Sequence, residues 1–454
     1  MKIIIVGAGE VGYHIASRLS GENKDVVVID KNKDALRRVS ENLDVQTIEG
    51  YGSSPAILEQ ANIKAADILL AVTDSDETNL VASLFTNILS PVTITLARIR
   101  SEEYLVHQEV LRKEPYSIDM IINPEVEVVK MVERLLQVPG AIDVGEFAEG
   151  RIKIIGLRLG ANCPVSGTKL IDLRKKTGNR KILVTAIIRD DKLIIPSGDD
   201  QLLERDVVYF VSEENDLKGA LEIFGKKAEP CRRVLLIGGG NLGLKLAKAL
   251  ERLSIHTKLI EKDVDRCRDL AGQLDKVVVL QGDGSDQGLL QEENVQGMDV
   301  VITLTGDEET NILTSLLAKQ MGAQKTVTRI NRFSYFPLVS AVGLEHIVSP
   351  RLAAINTMLQ YLRRGQVLSA MALKGEEGEV LEAVALETSD VVGKPLREVP
   401  FPKGALVVAI MRGDEVFIPT GDSVIQPHDR IIIFSTRQSI PRVEKALTVK
   451  LEYF

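Results

Sequence analysis

Short apolar runs alternate along this chain with segments whose apolar positions recur every three or four residues. In the first quarter the runs are Ile3–Val6, Val26–Ile29, Val45–Ile48, Ile68–Val72 and Thr93–Ala97. Continuous apolar runs of this length fit strands buried on both faces. Between them, Gly12–Leu19 and Thr78–Leu89 carry the 3.6-residue period of an amphipathic helix. The alternation predicts an α/β unit, a doubly wound parallel sheet with helices on both faces. From about Gly140 the pattern changes. Ile152–Leu159, Leu183–Ile188, Leu193–Ile195 and Val207–Val211 are short β-like runs joined by turns, with one helical piece near Lys169–Lys175. They predict a small α+β lobe.

The whole pattern is then written a second time. Ile3–Gly12 reappears as Val234–Gly243, and Val28-Ile29-Asp30-Lys31 as Leu259-Ile260-Glu261-Lys262, both 231 residues later. Gly50-Tyr51-Gly52-Ser53 returns as Gly282-Asp283-Gly284-Ser285, and Asp76-Glu77-Thr78-Asn79 as Glu308-Glu309-Thr310-Asn311, both 232 residues later. Four blocks in one order at nearly constant spacing make the chain two similar halves. The expected division is 1–138 and 232–364 for the two larger units, 139–225 and 365–454 for the two small lobes, and 226–231 for a linker. The Gly, Pro and charges of Gly225–Pro230 suit that linker.

The glycines point to a ligand. Gly7-x-Gly9-x-x-Gly12 follows a strand and opens a helix, with Glu10 and Val11 between the last two glycines. In a Rossmann-like unit the first glycine permits a tight turn, the second lets a pyrophosphate approach the backbone, and the third lets helix and strand pack closely. The helix N-terminus then offers N–H groups and positive dipole. Asp30, 23 residues after Gly7 at the end of the second strand, is placed to take ribose hydroxyls and to disfavour a 2′-phosphate, hence NAD⁺ or NADH. Half two offers Gly238, Gly240 and Gly243, with Asn241, Leu242 and Glu261. A glycine-rich structural turn with an incidental acid is the plain alternative.

Further candidates fall at the carboxyl ends of strands, where such folds bind ligands. Asp283 suits an adenine amino group, whereas Tyr51 suits stacking on the base. Thr73, Asp74 and Thr305 precede helices and serve equally well as caps. Arg98, Arg100 and Arg329 suit phosphates, with a surface salt bridge as the alternative.

Composition narrows the function. The 454 residues carry 56 Lys and Arg against 64 Asp and Glu, a net charge of −8. This mild acidity, the absence of Trp and the 4% of aromatic residues argue against a nucleic-acid partner. Cys163, Cys231 and Cys267 are scattered, which suits reduced thiols in a cytosolic protein. The first residues do not read as a signal peptide, and no run reaches the roughly 18 apolar residues of a membrane span. A dehydrogenase would need a general acid or base. None of the five histidines recurs in the other half, and His14 reads as structural. No metal cluster and no nucleophile elbow are visible. Two nucleotide modules without evident chemistry read as a sensor, not an enzyme. The rival reading is an NAD-dependent oxidoreductase with a duplicated core.

The doubled order resembles the TrkA family, the cytosolic regulatory subunits of Trk potassium uptake systems, whose tandem units are RCK domains. Gly7–Gly12, Val72–Asn79, Gly167-Thr168-Lys169-Leu170, Pro196-Ser197-Gly198-Asp199 and Arg205-Asp206 carry the resemblance, with Gly393-Lys394-Pro395-Leu396, Pro419-Thr420-Gly421-Asp422 and Asp429-Arg430 in half two. It implies a cytoplasmic homo-oligomer, dimer or tetramer, forming a gating ring at the inner face of the membrane on a Trk-type potassium-transporting partner. It also implies NAD⁺, NADH, ATP or ADP in the Rossmann units, with bound ligand shifting the ring between states. An RCK regulator of another channel or antiporter is the third reading. Tyr51 departs from the family's Asp at that position, which Asp283 keeps. Arg100 against Asn331 leads us to expect that the first site tolerates a triphosphate better than the second.

Overall fold

The computed structural model describes residues 1–22, 24–177, 182–190, 192–226, 229–362, 367–373 and 377–447. Lys227 and Ala228 of the expected linker, and Gly365 at the expected start of the last lobe, lie outside them.

The first sheet contains β1 (Lys2–Val6), β2 (Asp25–Asp30), β3 (Gln46–Glu49), β4 (Ile68–Ala71), β5 (Ile94–Arg98) and β6 (Met120–Ile122). Its order is β3-β2-β1-β4-β5-β6, with every pairing parallel. The helices are α1 (Glu10–Gly21), α2 (Lys33–Asn42), α3 (Pro55–Gln60), α4 (Asp76–Leu89), α5 (Glu102–Val106), α6 (Gln108–Leu111) and α7 (Pro124–Gln137). Ile4, Val6, Val27 and Ile29 share a core with Leu58, Ile63, Leu80 and Ala82. Ile3, Ile5 and Val28, of opposite parity, are equally buried. Both faces are therefore covered, which is why the strands read as unbroken apolar runs. The order reverses between β1 and β4, leaving a crevice at their carboxyl ends where ligands bind in open α/β sheets.

The first small lobe contains β7 (Ala141–Phe147), β8 (Ile152–Arg158), α8 (Leu170–Thr177), β9 (Leu183–Arg189), β10 (Lys192–Ile194), β11 (Val207–Glu213) and α9 (Leu217–Ile223). Its sheet is antiparallel, in the order β10-β9-β11-β8-β7.

Half two repeats the plan. Its Rossmann-like unit has β12 (Arg233–Ile237), α10 (Asn241–Arg252), β13 (His256–Glu261), α11 (Val264–Gln273), β14 (Val278–Gln281), α12 (Gln287–Glu292), β15 (Val300–Thr303), α13 (Glu308–Gln320), β16 (Thr326–Arg329), α14 (Phe336–Ala341), β17 (His346–Val348) and α15 (Pro350–Leu362). The sheet order is β14-β13-β12-β15-β16-β17. The last lobe has β18 (Val367–Ala372), β19 (Gly378–Val384), β20 (Ala405–Arg412), β21 (Glu415–Phe417), β22 (Arg430–Thr436) and α16 (Ile440–Leu447), in the order β18-β19-β22-β20-β21. Position for position this is the topology of the first lobe.

Four strands exceed the sequence expectation: β6, β7, β17 and β18. β6 and β17 have three residues each, too few for a period to register. In β7, Asp143, Gly145 and Glu146 interrupt the apolar pattern.

The chain forms two compact units. One is Met1–Val129 with Ile330–Phe333 and Val348–Tyr361, so half two contributes most of α15 to the first Rossmann-like sheet's unit. The other takes Lys130–Arg329, Ser334–Ile347 and the described residues from Leu362 on. Within this second unit the two small lobes share one core, in which Phe147, Ile152, Ile154 and Tyr209 meet Val380, Val408, Ile432 and Phe434. No helix among the described residues is long and apolar enough to cross a membrane.

Candidate functional site

The three glycines of each loop differ in what they do. Gly7 sits at φ +114°, where an added Cβ would lie 3.0 Å from the backbone nitrogen of Thr73. A Cβ on Gly12 would lie 1.8 Å from the Gly7 carbonyl oxygen. The turn and the helix packing thus require these two. Gly9 is different. It is the N-cap of α1, in extended backbone with φ −65° and ψ −174°, and a Cβ there would meet nothing within 4 Å. No packing demand explains a glycine at this point, and the open space leaves the backbone accessible to a group such as a pyrophosphate. Half two repeats the arrangement. Gly238 has φ +104°, and an added Cβ would lie 2.8 Å from Thr305 N; a Cβ on Gly243 would lie 2.1 Å from Gly238 O, and one on Gly240 would meet nothing within 4 Å. Val11 and Leu242 are buried in the core. What they can offer a ligand is the backbone N–H of a helix first turn.

Asp30 and Glu261 are placed alike. Asp30 accepts from Ala8 N at 2.6 Å and Asn32 N at 2.8 Å. Glu261 accepts from Gly239 N at 2.7 Å, Lys262 N at 2.7 Å and Asp263 N at 2.9 Å. Each carboxylate ties the glycine loop to the start of the following helix, and its remaining lone pairs suit ribose hydroxyls.

The turn after the fourth strand is organised by a residue that sequence reasoning did not single out. Asn79 is fully buried. It accepts from Thr73 N at 2.9 Å and donates to Thr73 O at 3.0 Å and Arg98 O at 2.8 Å. Asn311 does the same for Thr305 and Arg329 at 2.9, 3.1 and 3.2 Å. The recurring Thr-x5-Asn spacing was the available signal. The helix caps lie elsewhere, since Ser75 accepts from Thr78 N and Asp307 from Thr310 N. Thr73, Asp74 and Thr305 are therefore not the caps that the sequence allowed.

Arg98 is buried and forms an ion pair with the exposed Asp74, the salt bridge that the sequence allowed. It donates to Thr73 O at 2.7 Å and to Asp74 Oδ1 at 2.6 Å. Its Nε has no hydrogen-bond partner among the described residues. Burial disfavours the Asp74 carboxylate, but the Arg98 hydrogen bond and the charges of Arg98, Arg100 and Arg351 outweigh it and lower its pKa. Arg100 donates through its guanidinium to the Asp74 carbonyl, while its backbone N–H meets Asp76 at 2.8 Å. The extra arginine of half one is thus matched by an extra acid, because Gly306 stands where half one has Asp74. That balance removes the premise for expecting a triphosphate preference at the first site. Arg329 donates to Leu304 O at 3.3 Å and Thr305 O at 3.4 Å.

The halves also diverge after the third strand. Lys31 Nζ lies 5.7 Å from the centroid of the exposed Tyr51 ring. The matching Lys262 instead pairs with Asp283 at 3.0 Å. Ser285 donates to Asp283 through its hydroxyl at 2.6 Å and its N–H at 2.9 Å. These Ser285 bonds, then the Lys262 bond, hold the Asp283 carboxyl down at about 2. At the α1 N-terminus Glu10 pairs with Arg38, whose guanidinium lies 4.1 Å from the Tyr13 ring centre, and Asn241 stands there in half two. No group of His, Cys, Asp and Glu suited to a metal occurs among the described residues.

Comparison with known proteins agrees with this architecture. The TrkA-N domain matches residues 3–124 and 234–350, and the TrkA-C domain matches 154–225 and 380–448. A Trk system potassium uptake protein TrkA from Azorhizobium caulinodans is 38% identical over 458 residues, with all of both chains covered. The TrkA homolog 1 of Methanosarcina mazei is 39% identical, covering 98% of this chain and 99% of its own. Among solved structures the GsuK channel bound to NAD is similar in fold, with a TM-score of 0.60 and 20% identity over 98% of this chain and 78% of that one. With full-length relatives near 40% identity and both domain types matched twice, the chain belongs to the TrkA family.

Proposed function

We propose that this protein is the nucleotide-sensing regulatory subunit of a potassium uptake system. It binds NAD⁺ or NADH, or an adenine nucleotide, and governs a potassium-translocating membrane partner. The observation that carries the reading is the glycine loop found twice, whose middle glycine answers no packing demand. The names of the relatives supply the transport context. In this reading Gly7, Gly9, Gly12 and Asp30 hold one nucleotide, with Thr73, Arg98 and Arg100 beside its phosphates and Tyr51 at its base. Gly238, Gly240, Gly243, Glu261, Thr305, Arg329 and Asp283 hold another. The role is regulatory and not catalytic. The chain works in the cytoplasm as a homo-oligomeric ring against the inner face of the membrane, held there by its partner.

A ligand regulates by binding one state of such an assembly better than another, so unequal sites give graded responses. The test is potassium flux through the reconstituted complex with NADH, ATP or ADP added in turn. Nucleotide-dependent flux is expected. Flux indifferent to all three, or steady substrate-dependent oxidation of NADH by the pure protein, would defeat the proposal.

A further inference from the structure

The two halves differ at the corner between the second and third strands, beside the acid proposed to take the ribose. In half one Asp30 ends β2 and Lys31 follows it. Lys31 is exposed, and it makes no hydrogen bond or ion pair among the described residues. Its contact is with an aromatic ring, since Lys31 Nζ lies 5.7 Å from the centroid of Tyr51, whose side chain is 65% exposed. An uncompensated ammonium group thus lies next in sequence to the proposed ribose acid and close in space to the proposed base platform. Lys33, the other lysine of this corner, is taken up by Glu49 at 3.5 Å.

In half two the same corner is closed by charge. Lys262 occupies the place of Lys31 but pairs at 3.0 Å with Asp283, the residue that replaces Tyr51. Asp263 adds a carboxylate where half one has Asn32. Arg266 is new as well, with Ala35 in its place in half one, but its guanidinium donates to the Gly239 carbonyl at 2.8 Å and to Asp269 at 3.4 Å. An acid at the end of the second strand favours free ribose hydroxyls and repels a phosphate on the 2′-oxygen. An unpaired lysine beside it offsets that repulsion and supplies a charge-assisted hydrogen bond to phosphate. A lysine already neutralised by its own carboxylate does neither, and further acids add to the repulsion.

We infer that Lys31 makes the first nucleotide site tolerant of a phosphate on the 2′-oxygen of the adenosine ribose, as in NADPH, whereas the second site rejects it. The inference rests on the proposed nucleotide reading. It is tested by calorimetric titration of the full chain with NADH and NADPH, Gly240→Ala isolating the first site and Gly9→Ala the second. The loss of affinity from NADH to NADPH should be smaller at the first site by about tenfold or more. Adding Lys31→Gln to the Gly240→Ala protein should remove most of that advantage while NADH affinity stays within about twofold, and Lys31→Arg should preserve it. Equal discrimination against NADPH at the two sites would overturn the inference. So would a Lys31→Gln protein that weakens NADH and NADPH alike, or that leaves both as they were. If the Gly240→Ala protein binds neither dinucleotide, the nucleotide reading of the first site has itself failed and the inference falls with it.

Discussion

The glycine loop allows the structural and ligand-binding demands on a residue to be separated by a single methyl group. Gly9→Ala places a Cβ where nothing lies within 4 Å, on backbone that alanine adopts freely. Alanine gains roughly 0.4–1 kcal/mol from a less flexible unfolded chain and loses a similar amount as a poor N-cap. Stability should therefore change by less than about 0.5 kcal/mol, or about 2 °C in Tm. In the proposed reading the methyl group stands in the path of a pyrophosphate, so NADH or ADP affinity should fall more than about tenfold, about 1.4 kcal/mol. Gly12→Ala is the converse. Its Cβ would sit 1.8 Å from Gly7 O, and a backbone carbonyl cannot rotate away as a side chain can. Opening that contact to van der Waals distance displaces the start of α1 at a cost of about 3 kcal/mol, several degrees of Tm. Differential scanning fluorimetry and calorimetric titration of NADH on both variants decide the matter. A Gly9→Ala protein that melts and binds like the wild type would refute the pyrophosphate role. One that loses several degrees would show that the glycine is structural after all.

Other consequences can be checked separately. Lys325 is partly buried and donates to Ala141 O at 3.1 Å and Leu135 O at 3.5 Å; desolvation, opposed by the charges of Cys231 and Glu345, brings its pKa from 10.5 to about 8. The folded state thus releases this proton before the unfolded state does, so stability should rise between about pH 8 and pH 10.5 by on the order of 3 kcal/mol at most, and urea titrations of Lys325→Met should show the rise abolished. Asp283 has the same sign at the acid end: its depressed pKa gives stability above about pH 4 that disappears as pH falls towards 2, so Asp283→Asn and wild type, unlike at pH 5, should converge near pH 2. In the second small lobe Arg430 pairs with the buried Glu382 at 2.6 Å; Arg430→Ala leaves that carboxylate without its counter-charge and should cost about 3–5 kcal/mol in urea unfolding, with the double variant Arg430→Ala, Glu382→Ala recovering part of the loss.

Much of this was legible in the sequence. The buried strands of each parallel sheet are runs of Ile, Val and Leu, and a doubled GxGxxG at constant spacing specifies loop, helix and acid together. What escaped has definite causes. β6 and β17 are three residues long, below the span at which any period registers. Asn79 and Asn311 were visible as repeated letters but not as organisers, because only folding brings each onto both its threonine and the end of the fifth strand. The match of Arg100 against Asp74 needed three dimensions for the same reason. Nothing in the periodicity of α15 shows that it joins the other half's compact unit.

The small lobes show why the halves diverged where they did. Gly156 and Glu382 occupy the same place in β8 and β19, facing Tyr209 and Ile432 across the sheet. A Cβ at Gly156 would lie 2.8 Å from the Tyr209 ring, so a glutamate fits only where the neighbour is the smaller isoleucine. Val207 likewise corresponds to Arg430, the partner of Glu382. That pair reaches into the first lobe, since Ala148 N donates to Glu382 at 3.2 Å and Arg430 binds Glu149 at 2.6 Å. Arg430 thus bridges Glu382 of its own lobe and Glu149 of the other. The contact joins unlike residues of the two lobes, and carrying both on one chain holds them at high effective concentration. With the pairing covalent, the two lobes can be complementary instead of identical.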